Sequence, residues 1–246
     1  MIADIFTLIW KEWKEIFLQR SSSRTGVFNL LLVVGVVGIF IPLQSGRDWF
    51  NSPVTMLIWA WLPIFLVLGM VTDAFAGERE RHTLETLLAS RLSDNAILFG
   101  KVGASVAYGW SMALVSMFLG AISVNLAHPG AGFAFYPLDR LVFGMILAFL
   151  GCLMIALVGV LVSLRAPTAR SAYQQLSIVM LVLYFVPILG LQLLPASFTG
   201  PILQSLAGIR LNTALLGLTG FLLLANLALL VVARSRFQRA RLIENG

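Results

Sequence analysis

Leu141-Val142-Phe143-Gly144-Met145-Ile146-Leu147-Ala148-Phe149-Leu150-Gly151-Cys152-Leu153-Met154-Ile155-Ala156-Leu157-Val158-Gly159-Val160-Leu161-Val162-Ser163-Leu164 runs for 24 residues without a charge. A hydrocarbon core of about 30 Å takes roughly 20 apolar residues as a helix, and lipid offers no partner to open backbone groups. The run therefore reads as a membrane-spanning helix. The rest of the chain agrees: 59% of its 246 residues are hydrophobic and 11% charged, with a mean hydropathy of +0.92, whereas soluble domains carry about 25% charged residues. Six spans are predicted, at about Val27–Leu43, Val54–Ala76, Val102–Leu126, Leu141–Leu164, Leu176–Leu194 and Thr213–Ala233. The expected fold is an all-α membrane protein, one transmembrane domain over residues 1–246.

Lys and Arg set the orientation. If both termini share a side, that side holds 14 of the 17 basic residues. They are Lys11, Lys14, Arg20 and Arg24 before the first span, Arg79, Arg81, Arg91 and Lys101 between the second and third, Arg165 and Arg170 after the fourth, and Arg234, Arg236, Arg239 and Arg241 at the end. Only Arg47, Arg140 and Arg210 fall opposite. Both termini, with the tail 234–246, are expected in the cytoplasm of a cell inner membrane. The net charge of +6 reads as this bias plus attraction to lipid headgroups, not as affinity for nucleic acid.

Residues 1–24 are expected to form an interfacial helix rather than a signal peptide, because Lys11, Glu12, Lys14 and Glu15 interrupt the apolar positions. On a helical wheel Ile2, Ile5, Phe6, Ile9, Trp10, Trp13, Ile16 and Phe17 share one face. Asp4, Thr7, Lys11, Glu12, Lys14 and Glu15 share the other, and Leu8 and Leu18 are exceptions. Trp10 and Trp13 are the expected anchors at headgroup level. Packing of the same helix on a cytoplasmic partner is the competing reading.

The densest charge lies in Gly77-Glu78-Arg79-Glu80-Arg81-His82-Thr83-Leu84-Glu85-Thr86-Leu87-Leu88, within the cytoplasmic loop 77–101. No proline occurs from Glu78 to Lys101, so the segment is expected to be helical. Leu84, Leu87 and Leu88 would cluster on one face, with Glu78, Arg81, His82 and Glu85 on the other and Arg81 spaced i,i+4 from Glu85. Such a helix can pack on its own spans and present charge to a partner; a solvated connector that only fixes topology is the plainer reading.

The run Glu78 to Leu88, followed by Ser93 and by Gly100-Lys101, resembles the cytoplasmic loop of permeases of the ABC type-2 transporter family. His82 stands where that family usually has glycine, and Arg91 where it usually has proline. The resemblance implies a coupling helix that docks on a separate ATP-binding subunit, with Glu78, Glu80, Thr83, Leu84, Glu85, Leu87 and Leu88 as coupling residues. It also implies two permease copies, or two related permeases, per transporter, and export of an amphipathic or lipid-like substrate. The turn Arg165-Ala166-Pro167-Thr168-Ala169-Arg170-Ser171 is a possible second contact, or a plain topology-setting turn.

The chain is not expected to be an enzyme. Its only Gly-Lys pair, Gly100-Lys101, is followed by Val102 rather than Ser or Thr, so no phosphate-cradling loop exists and ATP and Mg are expected on the partner. No Gly-x-Ser-x-Gly elbow occurs. His82 and Glu85 are one helical turn apart, but His128, the other histidine, is expected on the opposite side, so no metal or other cofactor is expected. Span residues Asn29, Thr55, Ser111, Ser116, Ser123, Asn125, Ser177, Asn212 and Asn226 are candidates for a substrate path, most of them as helix-helix glue. Pro195 to Arg210 either re-enters the outer leaflet or forms an ordinary loop. The alternatives are a haem-exporter-type permease of cytochrome c maturation and a non-transport membrane scaffold or intramembrane enzyme.

Overall fold

The computed structural model describes residues 2–22, 24–129, 132–193 and 211–237. They are helical apart from short turns and an extended stretch at 132–137, with no strand among them. Helix α1 is Ile2–Ser22. Arg24–Gly35 (α2), a π-helical turn Val36–Phe40, Ile41–Ser45 (α3) and a 3-10 turn Gly46–Phe50 follow one another directly. Then come α4, Pro53–Thr72, a second π-helical turn Asp73–Gly77, and the short helices α5, Glu78–Glu80, and α6, Thr83–Leu88. The long helices α7 (Asp94–Ala127), α8 (Leu138–Ser163), α9 (Ala169–Leu193) and α10 (Leu211–Arg236) complete the chain. Among the described residues four stretches are long and apolar enough to cross a membrane: Leu31–Phe50, α7, α8 and α10.

Local chemistry fixes several boundaries. Ser93 caps α7, its Oγ accepting from Ala96 N at 3.2 Å, which satisfies one of the open donors of the first turn. The helix thus begins at Asp94, well before the Val102 read from hydropathy. Thr168 and Ser171 exchange backbone-to-hydroxyl bonds at 3.1 and 3.3 Å, a reciprocal cap that starts α9. Pro137 precedes α8 in an extended conformation and contributes no donor.

The centre is α4, α7 and α8 packed on one another; α9 lies against α4 and α8, α10 against α8, and α1 across the first half of α7. Close approach depends on small residues: a Cβ at Gly144 of α8 would lie 2.7 Å from the buried Trp59 ring of α4. Polar groups tie the helices where apolar contact gives no direction. Trp110 Nε1 donates to Met145 O at 3.1 Å, and Asn226 Nδ2 to Leu150 O at 3.1 Å.

The bundle has two unlike ends. At one, Trp49, Phe50, Trp59 and Tyr136 form edge-to-face pairs. Trp49 Nε1 donates to Tyr136 Oη at 2.9 Å, which donates to Met117 O at 3.0 Å. Asn125 holds the 132–137 stretch by two bonds with the Ala134 backbone, at 2.7 and 2.8 Å. Burial pushes the Tyr136 phenol well above its ordinary value, with only partial relief from Trp49. At the other end the charges gather. The segment Pro195 to Arg210 and the tail beyond Phe237 lie outside the described residues.

Candidate functional site

The charged end is built from consecutive departures from α-helical geometry. Helix α4 widens into the π-helical turn at Asp73–Gly77 and resumes for Glu78–Glu80; the backbone then reverses at Arg81 and His82. His82 has φ +55°, a left-handed conformation that favours glycine and that histidine adopts more readily than β-branched residues. This is the position at which the resembling family usually has glycine. The break corrects the expectation of one continuous helix from Glu78 to Lys101: α6 is a separate piece of six residues, followed by bends before Ser93. Arg81 consequently does not follow an i,i+4 register along one helix; it pairs with Asp73, Nη1 to Oδ1 at 3.1 Å. This pairing raises the Arg81 guanidinium above its ordinary value, the hydrogen bond it donates to Asp73 being the main cause.

Beneath the break lies an ionic node. Lys101 of α7 is fully buried; its ammonium pairs with Glu78 Oε1 at 2.7 Å and donates to Glu12 Oε1 at 3.1 Å and Ala74 O at 2.9 Å. It also sits 5.7 Å from the centroid of the Phe75 ring, within reach of a cation–π attraction. Lys11 closes the cluster from the rim, 3.4 Å from Glu78 and 3.2 Å from Glu15. Partial burial would lower the Lys11 ammonium, but Glu12, Glu78 and Glu15 more than reverse it, so its pKa is raised. Buried charge is tolerated only when paired and hydrogen-bonded, and here one ammonium meets two carboxylates and a carbonyl.

The docking of α1 explains why Glu12 points inward. Leu8 and Glu12, one turn apart, meet Gly100 and Lys101: a Cβ at Gly100 would lie 2.7 Å from Leu8 Cδ2, while Lys101 takes Glu12. Leu8, the exception on the wheel, is therefore a contact residue. Trp13 also turns inward, its Nε1 donating to Ala104 O of α7 at 3.2 Å, whereas Trp10 is 73% exposed on a stripe with Ile2 and Phe6. The two tryptophans expected as a pair of headgroup anchors thus face different surroundings. Sequence reasoning placed Glu12 in water; the pairing of an apolar exception with an acid four residues later was the available signal.

The other expected coupling residues divide by position. Glu80 Oε2 accepts from Ala169 N at 3.0 Å, and Arg79 Nη1 donates to Leu164 O at 3.0 Å. The segment and the turn after α8 are thereby brought together, with Arg165 and Arg170 exposed beside them. Thr83 Oγ1 donates to Glu78 O at 3.1 Å. Leu87 packs against the main core. The side chains of Leu84, Glu85 and Leu88 lie outside the described residues.

Most of the described span candidates donate to backbone carbonyls. Ser111, Ser116 and Ser177 donate to carbonyls one turn back, Ser123 to Leu119 O and Gly38 O, and Thr55 to Trp49 O.

A bundle of apolar helices, with four stretches long and apolar enough to cross a membrane, gathers its ions into a broken, refolded segment at one end. A family model described as ABC-2 family transporter protein matches residues 39–209, from the π-helical turn after α2 through α9. The chain belongs to the ABC-2 transporter family, and its likeness to a membrane subunit of an ABC transporter follows from that membership. No curated protein matches it.

Proposed function

We propose that the chain is the permease subunit of an ATP-driven exporter of an amphipathic or lipid-like substrate, with six spans and both termini in the cytoplasm of an inner membrane. It works as a homodimer or with a related permease, and a separate ATPase subunit binds ATP and Mg. The observation that carries this reading is the charged segment inside the family match: a short helix, α6, set off by breaks on both sides and backed by the core through Leu87. A helix so bounded can be displaced as a rigid piece.

The ATPase docks on α6 and its flanking turns, with Thr83, Leu84, Glu85, Leu87 and Leu88 on the helix and Arg165 and Arg170 on the neighbouring turn. Glu78 and Glu80 act differently, tying the segment to the bundle by the bonds described above. When ATP draws the two ATPase subunits together, the α6 helices of the two permeases approach and the spans reopen on the other side. An amphipathic cargo fits because many of the described serine, threonine and asparagine side chains of the spans donate to backbone carbonyls.

Co-purification with the ATPase and measurement of its hydrolysis test the reading. Glu85→Ala should weaken docking and Leu87→Asp should undock α6 from the core, each lowering hydrolysis about tenfold or more in the assembled transporter, within the 5–150-fold range of a typical coupling energy. If both variants assembled and hydrolysed ATP like the parent, the coupling role would be wrong.

A further inference from the structure

We infer that Lys101, with Glu12 of α1, is a positioning residue for coupling: it latches the π-helical turn Asp73–Gly77 and Glu78 to α1, so that the coupling segment and α1 move as one body. This rests on the permease reading and specifies how motion enters the membrane.

The π-helical turn is the mechanically distinctive place in this region. Such turns are rare and occur mainly as single insertions in α-helices, frequently at functional sites. It lies directly between α4, at the centre of the bundle, and the segment that carries α6. Along the chain, a push on α6 reaches α4 through Glu78 and this turn, beside the packing of Leu87 on the core. Lys101 grips both sides of it, bonding the Ala74 carbonyl inside and the Glu78 carboxylate just after. Its third bond, to Glu12, leaves the bundle for α1.

The chemistry of the node favours rigid transmission over sliding. Lys101 is fully buried and Glu12 and Glu78 nearly so, so separating them would leave charge in a medium that cannot solvate it. Glu78 Oε2 is buried without a hydrogen-bond partner, and a carboxylate held by one oxygen depends the more on the Lys101 contact. Leu8 seated on Gly100 fixes α1 at the same level. Motion of Glu78 therefore draws Glu12 with it, while the exposed Ile2, Phe6 and Trp10 stripe travels through the surrounding medium as the free side of the moving body.

The test uses the assembled transporter with nitroxide labels on a Cys152→Ala background. Thr7→Cys and Thr86→Cys report α1 against α6, and Thr86→Cys with Leu138→Cys reports α6 against the far end of α8; all three sites are exposed. Between the nucleotide-free and the ATP-vanadate states the Thr86–Leu138 distance is expected to shift while the Thr7–Thr86 distance stays fixed. In Lys101→Met the Thr7–Thr86 distance should broaden and shift with nucleotide. Because that variant leaves two carboxylates uncompensated, Glu12→Gln/Glu78→Gln/Lys101→Met is the second probe: it removes the charges together, so it is expected to assemble and to show the same loss of fixed distance. A Thr7–Thr86 distance that changes with nucleotide in the parent, or one that stays fixed in the neutral triple variant, overturns the latch while leaving the permease reading intact. A Thr86–Leu138 distance that never responds to nucleotide overturns both.

Discussion

At His82 a single dihedral angle accounts for the glycine usual at this position in the family pattern. A left-handed backbone costs an ordinary L-residue roughly 1–2 kcal/mol, and glycine almost nothing beyond its unfolded-state entropy. Thermal unfolding in detergent should therefore find His82→Gly unchanged or stabilised by up to about 1 kcal/mol, and His82→Val destabilised by about 1–2 kcal/mol. Lys101 is a stronger case: Lys101→Met should lower stability by about 3–5 kcal/mol by stranding Glu12 and Glu78, and the neutral triple variant should recover most of that loss. Lys11 contributes at the rim. Because its folded pKa is raised above the ordinary 10.5, its contribution is complete below that value and lost as pH rises through the higher folded one. Parent and Lys11→Met melting temperatures should accordingly differ by a constant amount from neutral pH to about pH 10 and converge only above it. Sequence shows that Glu78 and Lys101 are charged and close to the same membrane face. It does not show that they touch, because their contact depends on a widened turn that no residue type announces.

Among the elements, four apolar spans of the six expected were legible and the joints were not. A run without charge has one solution in lipid, so α7 and α8 follow from composition, whereas helix propensity without proline suggested continuity across Arg81 and His82, where tertiary bonds to Asp73, Leu164 and Ala169 instead favour a break. For α1, the wheel separated apolar from polar positions but could not show that Leu8, Glu12 and Trp13 turn onto α7. Helix contacts can be checked by filling them. Gly144→Leu should force α4 and α8 apart against Trp59, and Gly100→Leu should lift α1 off α7, each costing about 1–3 kcal/mol or more in unfolding experiments. Gly220→Ala on α10 meets nothing within 4 Å, so it should be neutral or stabilising by up to about 1 kcal/mol.

Over the whole molecule, orientation is the property most directly inferred from sequence and most directly measured. On a Cys152→Ala background, Thr86→Cys should react with an impermeant maleimide in inverted vesicles and not in intact cells, and Phe133→Cys, at the aromatic end, should show the reverse. Labelling of both from one side would overturn the charge-based topology. The described structure adds something no count of basic residues contains. Phe75, beside Lys101, packs edge-to-face on Phe237 with ring centroids 5.7 Å apart, while Glu12 reaches Lys101 from α1. Residues 12, 75, 101 and 237 thus meet in one place. During synthesis the charged end cannot be sealed when its own residues emerge; it waits with an open aromatic face until α10 has been threaded into the membrane. Completion of the last helix is therefore the event that supplies Phe237 and closes the first joint.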